Sequence, residues 1–201
     1  MNKEILARKV SFVALLLILV ICCAGKLVEP PAIIINFPDI DKLPIKVDLR
    51  ITEELLNAKL VVLTEGGFEL PLGQVFSENS ERLARHLFSQ VSVVHDEASG
   101  ADTKSDAILI PKVVSVTQTR PMLGYKNSVL LVVFEWWLYN GRGNLIWVDS
   151  ILAKGVSPLA SGASVRKGTQ KRADKVTQDL FDKSFQAISS SEVIKTFASR
   201  M

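Results

Sequence analysis

Residues 128–139 read SVLLVVFEWWLY, residues 140–143 read NGRG, and residues 144–155 read NLIWVDSILAKG. Both long runs are rich in β-branched and aromatic residues, which favour strands. The Asn-Gly dipeptide between them favours a tight reversal of the chain. This stretch therefore predicts a long β-hairpin, and the organisation of the remaining sequence is best understood around it.

The two faces of this hairpin carry different predictions. A two-residue turn at Gly141 and Arg142 places Trp136 opposite Trp147, on the face that forms the core. The other face is too apolar to meet water. Either a second layer of the same domain covers it, or a partner or lipid does. The candidates for a partner surface are Val133, Trp137 and Tyr139 on that face, with Leu123 and Tyr125 in the preceding loop.

The segments around the hairpin predict an α+β domain. Apolar alternation indicates a strand over residues 45–51, and strand-like runs recur at residues 59–63 and 106–117. One amphipathic helix follows a cap at Ser77 or Asn79, a second spans about residues 167–188, and a short turn follows Ser191. The expected fold is a two-layer sandwich of a mostly antiparallel sheet with two amphipathic helices.

The beginning of the chain resembles the signal sequence of bacterial lipoproteins. A basic start, MNKEILARK, precedes the apolar run Val10–Ile21, which suits a signal peptide and is too short to cross a bilayer. The run ends in Val-Ile-Cys-Cys, residues 20–23, which resembles a lipobox with Cys23 as the lipid acceptor. The alternative from the residues alone is a short uncleaved membrane anchor.

The lipoprotein resemblance implies a division of the chain into three parts. These are a signal peptide (1–22), a lipid anchor with a proline-containing tether (23–44) and a single α+β domain (45–201). Residues Ile33–Ile35 either belong to the tether or pack as an edge strand. Ala24 stands where inner-membrane lipoproteins carry Asp, so the resemblance implies the periplasmic face of the outer membrane, with the inner membrane as the alternative.

Composition excludes several classes of function. The 201 residues carry 24 Lys and Arg against 21 Asp and Glu, a net charge of +3, which is too balanced for a nucleic-acid-binding protein. Two histidines and one adjacent cysteine pair predict no metal site. His95 and Asp96 are neighbours and point apart in an extended chain. We expect no catalytic residue and no cofactor besides the lipid on Cys23, and therefore no enzyme.

A basic cluster opens the last long helix. We interpret it as a solvated helix face, with contact to lipid phosphates as the alternative. Its members are Arg166, Lys167, Lys171, Arg172 and Lys175.

The order of elements, together with the anchor, resembles the small α+β domains of envelope-assembly lipoproteins. These include the lipopolysaccharide-assembly lipoprotein and the N-terminal domain shared by Tol-system and curli-secretion proteins. The resemblance implies a non-enzymatic protein that acts through protein contacts in envelope assembly or transport. Its partners would be the membrane, through the anchor, and an envelope protein. The alternative is a periplasmic binding module or carrier that holds an apolar ligand or lipid between sheet and helices.

Overall fold

The structure, a computed structural model, describes residues 33–62, 68–95, 105–119, 127–158 and 164–201. Cys23 and the whole predicted signal peptide lie outside these ranges. The strands are β1 (Leu43–Arg50), β2 (Lys59–Val62), β3 (Phe68–Pro71), β4 (Phe88–Val94), β5 (Ala107–Thr119), β6 (Asn127–Asn140) and β7 (Leu145–Pro158). The helices are α1 (Glu53–Leu56), α2 (Gly73–Leu87), α3 (Ser164–Ser190) and α4 (Glu192–Ala198).

A five-stranded sheet in the order β4-β1-β5-β6-β7 forms one layer, and β2 and β3 form a separate hairpin. The predicted α+β class is confirmed. The long pairings β5–β6 and β6–β7 are antiparallel, whereas β1 runs parallel to both of its neighbours. Parallel pairing of β1 with β4 requires a crossover, and α2 lies within the segment that makes it.

The register of the central hairpin differs from the predicted one. Trp136 lies opposite Asp149 and not opposite Trp147. The turn holds three residues, because Gly143 adopts φ +80° while its N–H donates to the carbonyl of Asn140 at 2.9 Å. A left-handed glycine after a tight turn is typical of three-residue hairpin loops, and it moves the pairing by one residue. A bulge between Leu138 and Tyr139 moves it by one more.

The first long helix begins earlier than predicted. It starts at Gly73, after Leu72, and not after Ser77 or Asn79. The backbone of Gly73 lies directly against the carbonyl of Leu56, where any side chain would collide, so a glycine allows α1 and α2 to meet. Neither β3 nor β4 was predicted from the sequence. The predicted Ser191 cap is confirmed, since its hydroxyl accepts from the backbone at the start of α4.

Aromatic side chains fill the space between the sheet and the helices. Phe134 of β6 lies 5.9 Å from Phe76 of α2 and 6.2 Å from Phe181 of α3, measured between ring centroids. Trp136 follows on the same face, and its indole N–H donates to Ser184 Oγ at 2.8 Å. All four rings are fully buried. This layer joins β6 to both long helices.

Residues 33–42 form neither an edge strand nor a free spacer. They cross the helical layer as an extended segment, and Ile35 is buried. The side-chain amide of Asn79 accepts from the N–H of Ile35 at 3.4 Å and donates to the carbonyl of Ile33 at 3.2 Å. Phe37 stacks on Phe185 of α3, with centroids 5.8 Å apart. The part of the predicted tether from residue 33 onward therefore packs against the domain.

We expect Asn79→Ala to lower the free energy of unfolding by about 1–3 kcal/mol, because the buried N–H of Ile35 loses its acceptor. Urea denaturation followed by circular dichroism measures the change. The matched control is Gln74→Ala on the exposed side of the same helix, which should change stability by less than about 0.5 kcal/mol. Equal effects of the two substitutions would contradict a structural role for the docked segment.

Candidate functional site

The sheet face turned away from the helices carries a surface rich in apolar and aromatic side chains, here called the outer face. Along β6, side chains alternate between the two faces, so the neighbours of Phe134 and Trp136 point outward. The register places Ile110 of β5 and Val148 of β7 on either side of Trp137. The apolar and aromatic members of the outer face are Ile110, Leu131, Val133, Trp137, Tyr139, Val148 and Leu152, and its polar members are Lys112, Ser115, Thr117, Glu135, Ser150 and Lys154.

The exposure of these side chains shows that the outer face is open within the part of the chain that the structure describes. Leu152 is 56% exposed and Val148 is 43% exposed, while Trp137 and Tyr139 are half-buried. The described helices supply their buried residues to the core on the opposite face. The sequence left two interpretations of this face open: cover by a second layer of the same domain, or cover by a partner or lipid. The described residues contain no such second layer.

Trp137 is held in place by three neighbours. Its indole N–H donates to Glu135 Oε2 at 3.0 Å, and its ring stacks on Tyr139 with centroids 6.2 Å apart and an interplanar angle of 11°. Lys112 Nζ lies 5.3 Å from the centroid of the Trp137 ring. Lys112 and Glu135 are directly opposed across the β5–β6 pair, so their charges offset each other. The arrangement is an ordered aromatic platform with a neutral charge balance.

The sequence-predicted surface residues fall into two groups. Val133, Trp137 and Tyr139 lie together on the outer face. Leu123 and Tyr125 lie outside the described residues, so the structure does not test whether the preceding loop joins this surface.

The residues considered for catalysis have other roles. His95 is exposed, and Asp96 lies outside the described residues. His86 Nε2 lies 2.7 Å from the carbonyl of Pro38, and its ring packs beside Phe37, so it helps to hold the docked N-terminal segment. Within the described ranges, no group of three or more His, Cys, Asp or Glu side chains could hold a metal ion. No described helix is long and apolar enough to cross a membrane.

One member of the predicted basic face is not solvated. Arg172 is 3% exposed, whereas the other four basic residues at the start of α3 are exposed. The sequence carries a signal for this difference. Arg172 occupies the same helical stripe as Thr169 and Val176, three and four residues away, and both of these are buried. Because the segment is rich in basic residues, we interpreted all five as a solvated face and did not use the stripe.

Comparisons with known proteins bear on the fold. Neither a protein-family model nor a curated protein matches this chain. Protein XCC0632 from Xanthomonas campestris, of the DUF330 family, has a similar crystal structure with a TM-score of 0.57 at 12% identity. The match covers 88% of this chain and 99% of that one. At this identity, the similarity establishes a shared fold.

Two further solved structures with partial similarity are described as lipoproteins. One is a minor lipoprotein from Acinetobacter baumannii, with 15% identity, a TM-score of 0.42, and coverage of 72% of this chain and 91% of that one. The other is lipoprotein GNA1162 from Neisseria meningitidis, with 13% identity, a TM-score of 0.33, and coverage of 62% and 91%. These TM-scores are too low to establish a common fold.

The two adjacent tryptophans provide a test of the face assignment. Trp136→Ala should lower the free energy of unfolding by about 3–5 kcal/mol, because it empties a buried site and removes the partner of Ser184. Trp137→Ala should cost about 1 kcal/mol or less, because the ring is half-buried and makes mainly surface contacts. Parallel urea melts measure both values. Equal large losses would mean that the outer face is covered.

Proposed function

We propose that this protein is a lipoprotein anchored through Cys23 to the periplasmic side of the outer membrane, and that it acts without catalysis through protein contacts in envelope assembly or transport. The observation that carries the proposal is the outer face, an apolar and aromatic sheet surface left open by the described residues. Open apolar patches of this kind are typical of interaction sites.

The composition of the outer face supports a protein as its partner. Interfaces between proteins are enriched in Trp and Tyr at their centre and depleted of unpaired charge. Trp137 and Tyr139 stack at the end of the patch nearest the hairpin turn, and Lys112 and Glu135 balance each other beside them. Since Trp137 already has fixed contacts, little side-chain entropy would be lost when a partner covers it.

The packing of the interior speaks against the alternative function as a carrier. A carrier of an apolar molecule needs a cavity between sheet and helices. Phe76, Phe134, Trp136 and Phe181 fill that space in the described part of the chain, with ring centroids about 5–7 Å apart. The contact-based function is therefore favoured.

The lipid anchor can be tested by substitution. Cys23→Ser should abolish incorporation of radiolabelled palmitate and either release the protein from membranes or block its maturation, because the acyl chains supply the attachment. The matched control is Cys22→Ser, which should leave labelling intact. Label that persists in Cys23→Ser and disappears in Cys22→Ser would move the acceptor by one residue.

The outer face can be tested by co-purification from a detergent extract of cells. Trp137→Ala should weaken retention of the envelope partner by about 30-fold, which corresponds to a loss of about 2 kcal/mol at an aromatic anchor. Val193→Ala provides the control, since this side chain is 50% exposed but lies on α4. A partner that is retained equally by both variants would place the interaction elsewhere on the surface.

A photo-crosslinking residue gives an independent measurement on the same surface. Placed at Leu152, it should form an adduct with an envelope protein, whereas the same residue placed at Val193 should not. An adduct only at Val193 would contradict the proposed surface.

A further inference from the structure

The core changes from apolar to polar at one end of the sheet. This is the end where β5 and β7 finish and β6 begins. Four of the polar side chains there are buried to 97% or more, and a fifth, Gln118, has a buried amide oxygen. The five residues, here called the polar row, are Gln118, Ser128, Ser157, Thr169 and Arg172.

Arg172 is the only charged member of the polar row. Its Nη1 donates to Ser157 Oγ at 2.8 Å and its Nη2 donates to Thr169 Oγ1 at 2.7 Å. The helix comes this close to the sheet because β7 carries Gly155 at the point where the carbonyl of Arg172 passes. The Nε of Arg172 has no hydrogen-bond partner and is closed to solvent. Three of the five guanidinium N–H groups therefore remain unused by the two hydroxyls.

A buried guanidinium is costly unless an anion or a full set of acceptors surrounds it. None of the ion pairs among the described residues includes Arg172. The carboxyl of Asp174, two residues along the helix, has its pKa raised by burial, opposite to the effect of a nearby cation. Burial also lowers the pKa of Arg172. The described residues thus leave this charge without a counter-ion.

The polar row continues from Arg172 to a second unpartnered atom. Ser157 and Ser128 are direct partners across the β6–β7 pair and point to the same face. The amide nitrogen of Gln118 lies 3.4 Å from Ser128 Oγ, and its Oε1 has no partner. Nitrogen and oxygen of an amide exchange places by a half-turn, so the same side chain can present a donor at that position.

We propose that the polar row is a binding site for an oxyanion, with Arg172 as its central contact and a phosphate group as its ligand. A guanidinium fork matches phosphate oxygens in geometry as well as in charge. Phosphate accepts donors from several directions, which suits the unused N–H groups of Arg172. The phosphate belongs to a lipid headgroup or to a soluble phosphate. This site is separate from the outer face and does not depend on the proposed function.

The test uses the full chain, labelled with ¹⁵N and held in micelles of an uncharged detergent. One arm adds inorganic phosphate at constant ionic strength against sodium chloride, and the other adds phosphatidylglycerol to the micelles. The Arg172 Nε–H resonance, assigned through its own side-chain carbons, should shift. Exchange should be slow, because the atom is closed to solvent. A shift with phosphate alone identifies a soluble ligand, and a shift with phosphatidylglycerol alone identifies a lipid headgroup.

Thermal unfolding of variants gives the second readout. The active ligand should raise the melting temperature of the wild-type protein, and Arg172→Lys should need at least about tenfold more ligand for the same rise, because lysine lacks the planar fork. The control Lys171→Gln, an exposed neighbour, should respond like the wild type. Absence of an Nε–H shift in both arms overturns the proposal, and so does an equal thermal response of Arg172→Lys and wild type. If Arg172→Lys fails to fold, the wild-type resonance still decides.

Discussion

The contact between β6 and α3 is the constraint on which the rest of the structure depends. Trp136 enters the core fully and donates its indole N–H to Ser184, while Phe134 and Phe181 pack beside it. A large ring that is both buried and hydrogen-bonded permits only one rotation of the helix over the sheet. At Gly155, where the carbonyl of Arg172 passes, β7 has no side chain to hold the helix away. The position of α3 then determines which of its residues are buried and which are exposed.

Two elements of this contact, β6 and α3, each place one candidate functional feature. On β6, strict alternation sends Trp136 inward and Trp137 outward, so one dipeptide contributes to the core on one face and to the candidate interaction surface on the other. On α3, the close approach to Gly155 carries Arg172 below the surface, next to Ser157. The candidate interaction surface therefore follows from the alternation of β6, and the proposed oxyanion site follows from the packing of α3.

Patterns that depend on local periodicity could be predicted from the sequence. The central hairpin, the α+β class, the two faces of β6 and the Ser191 cap follow from alternation or from a capping residue. Features that depend on tertiary contact could not. Contact between α1 and α2 sets the start of α2 at Gly73. The hairpin register was missed for a local reason, because it depends on the left-handed conformation of Gly143 and on the bulge between Leu138 and Tyr139.

The same limit applies to the sites. Trp137 was predicted to lie on the second face because alternation alone assigns it. Arg172 was assigned to solvent because a run of basic residues usually faces water, and only the packing of α3 shows otherwise. The docking of residues 33–42 was also not predicted. It depends on hydrogen bonds to Asn79, which we interpreted from the sequence as a candidate helix cap.

Docking of the N-terminal segment limits the reach of the molecule. Ile33 is held against α2, so if Cys23 carries the lipid, only ten residues, 23–32, separate the bilayer from the folded domain. Fully extended, they span at most about 35 Å. The attachment also enters on the helical side, opposite the outer face. With that anchor, the folded domain would stay within about 35 Å of the bilayer, and the outer face would be open on the side away from the attachment.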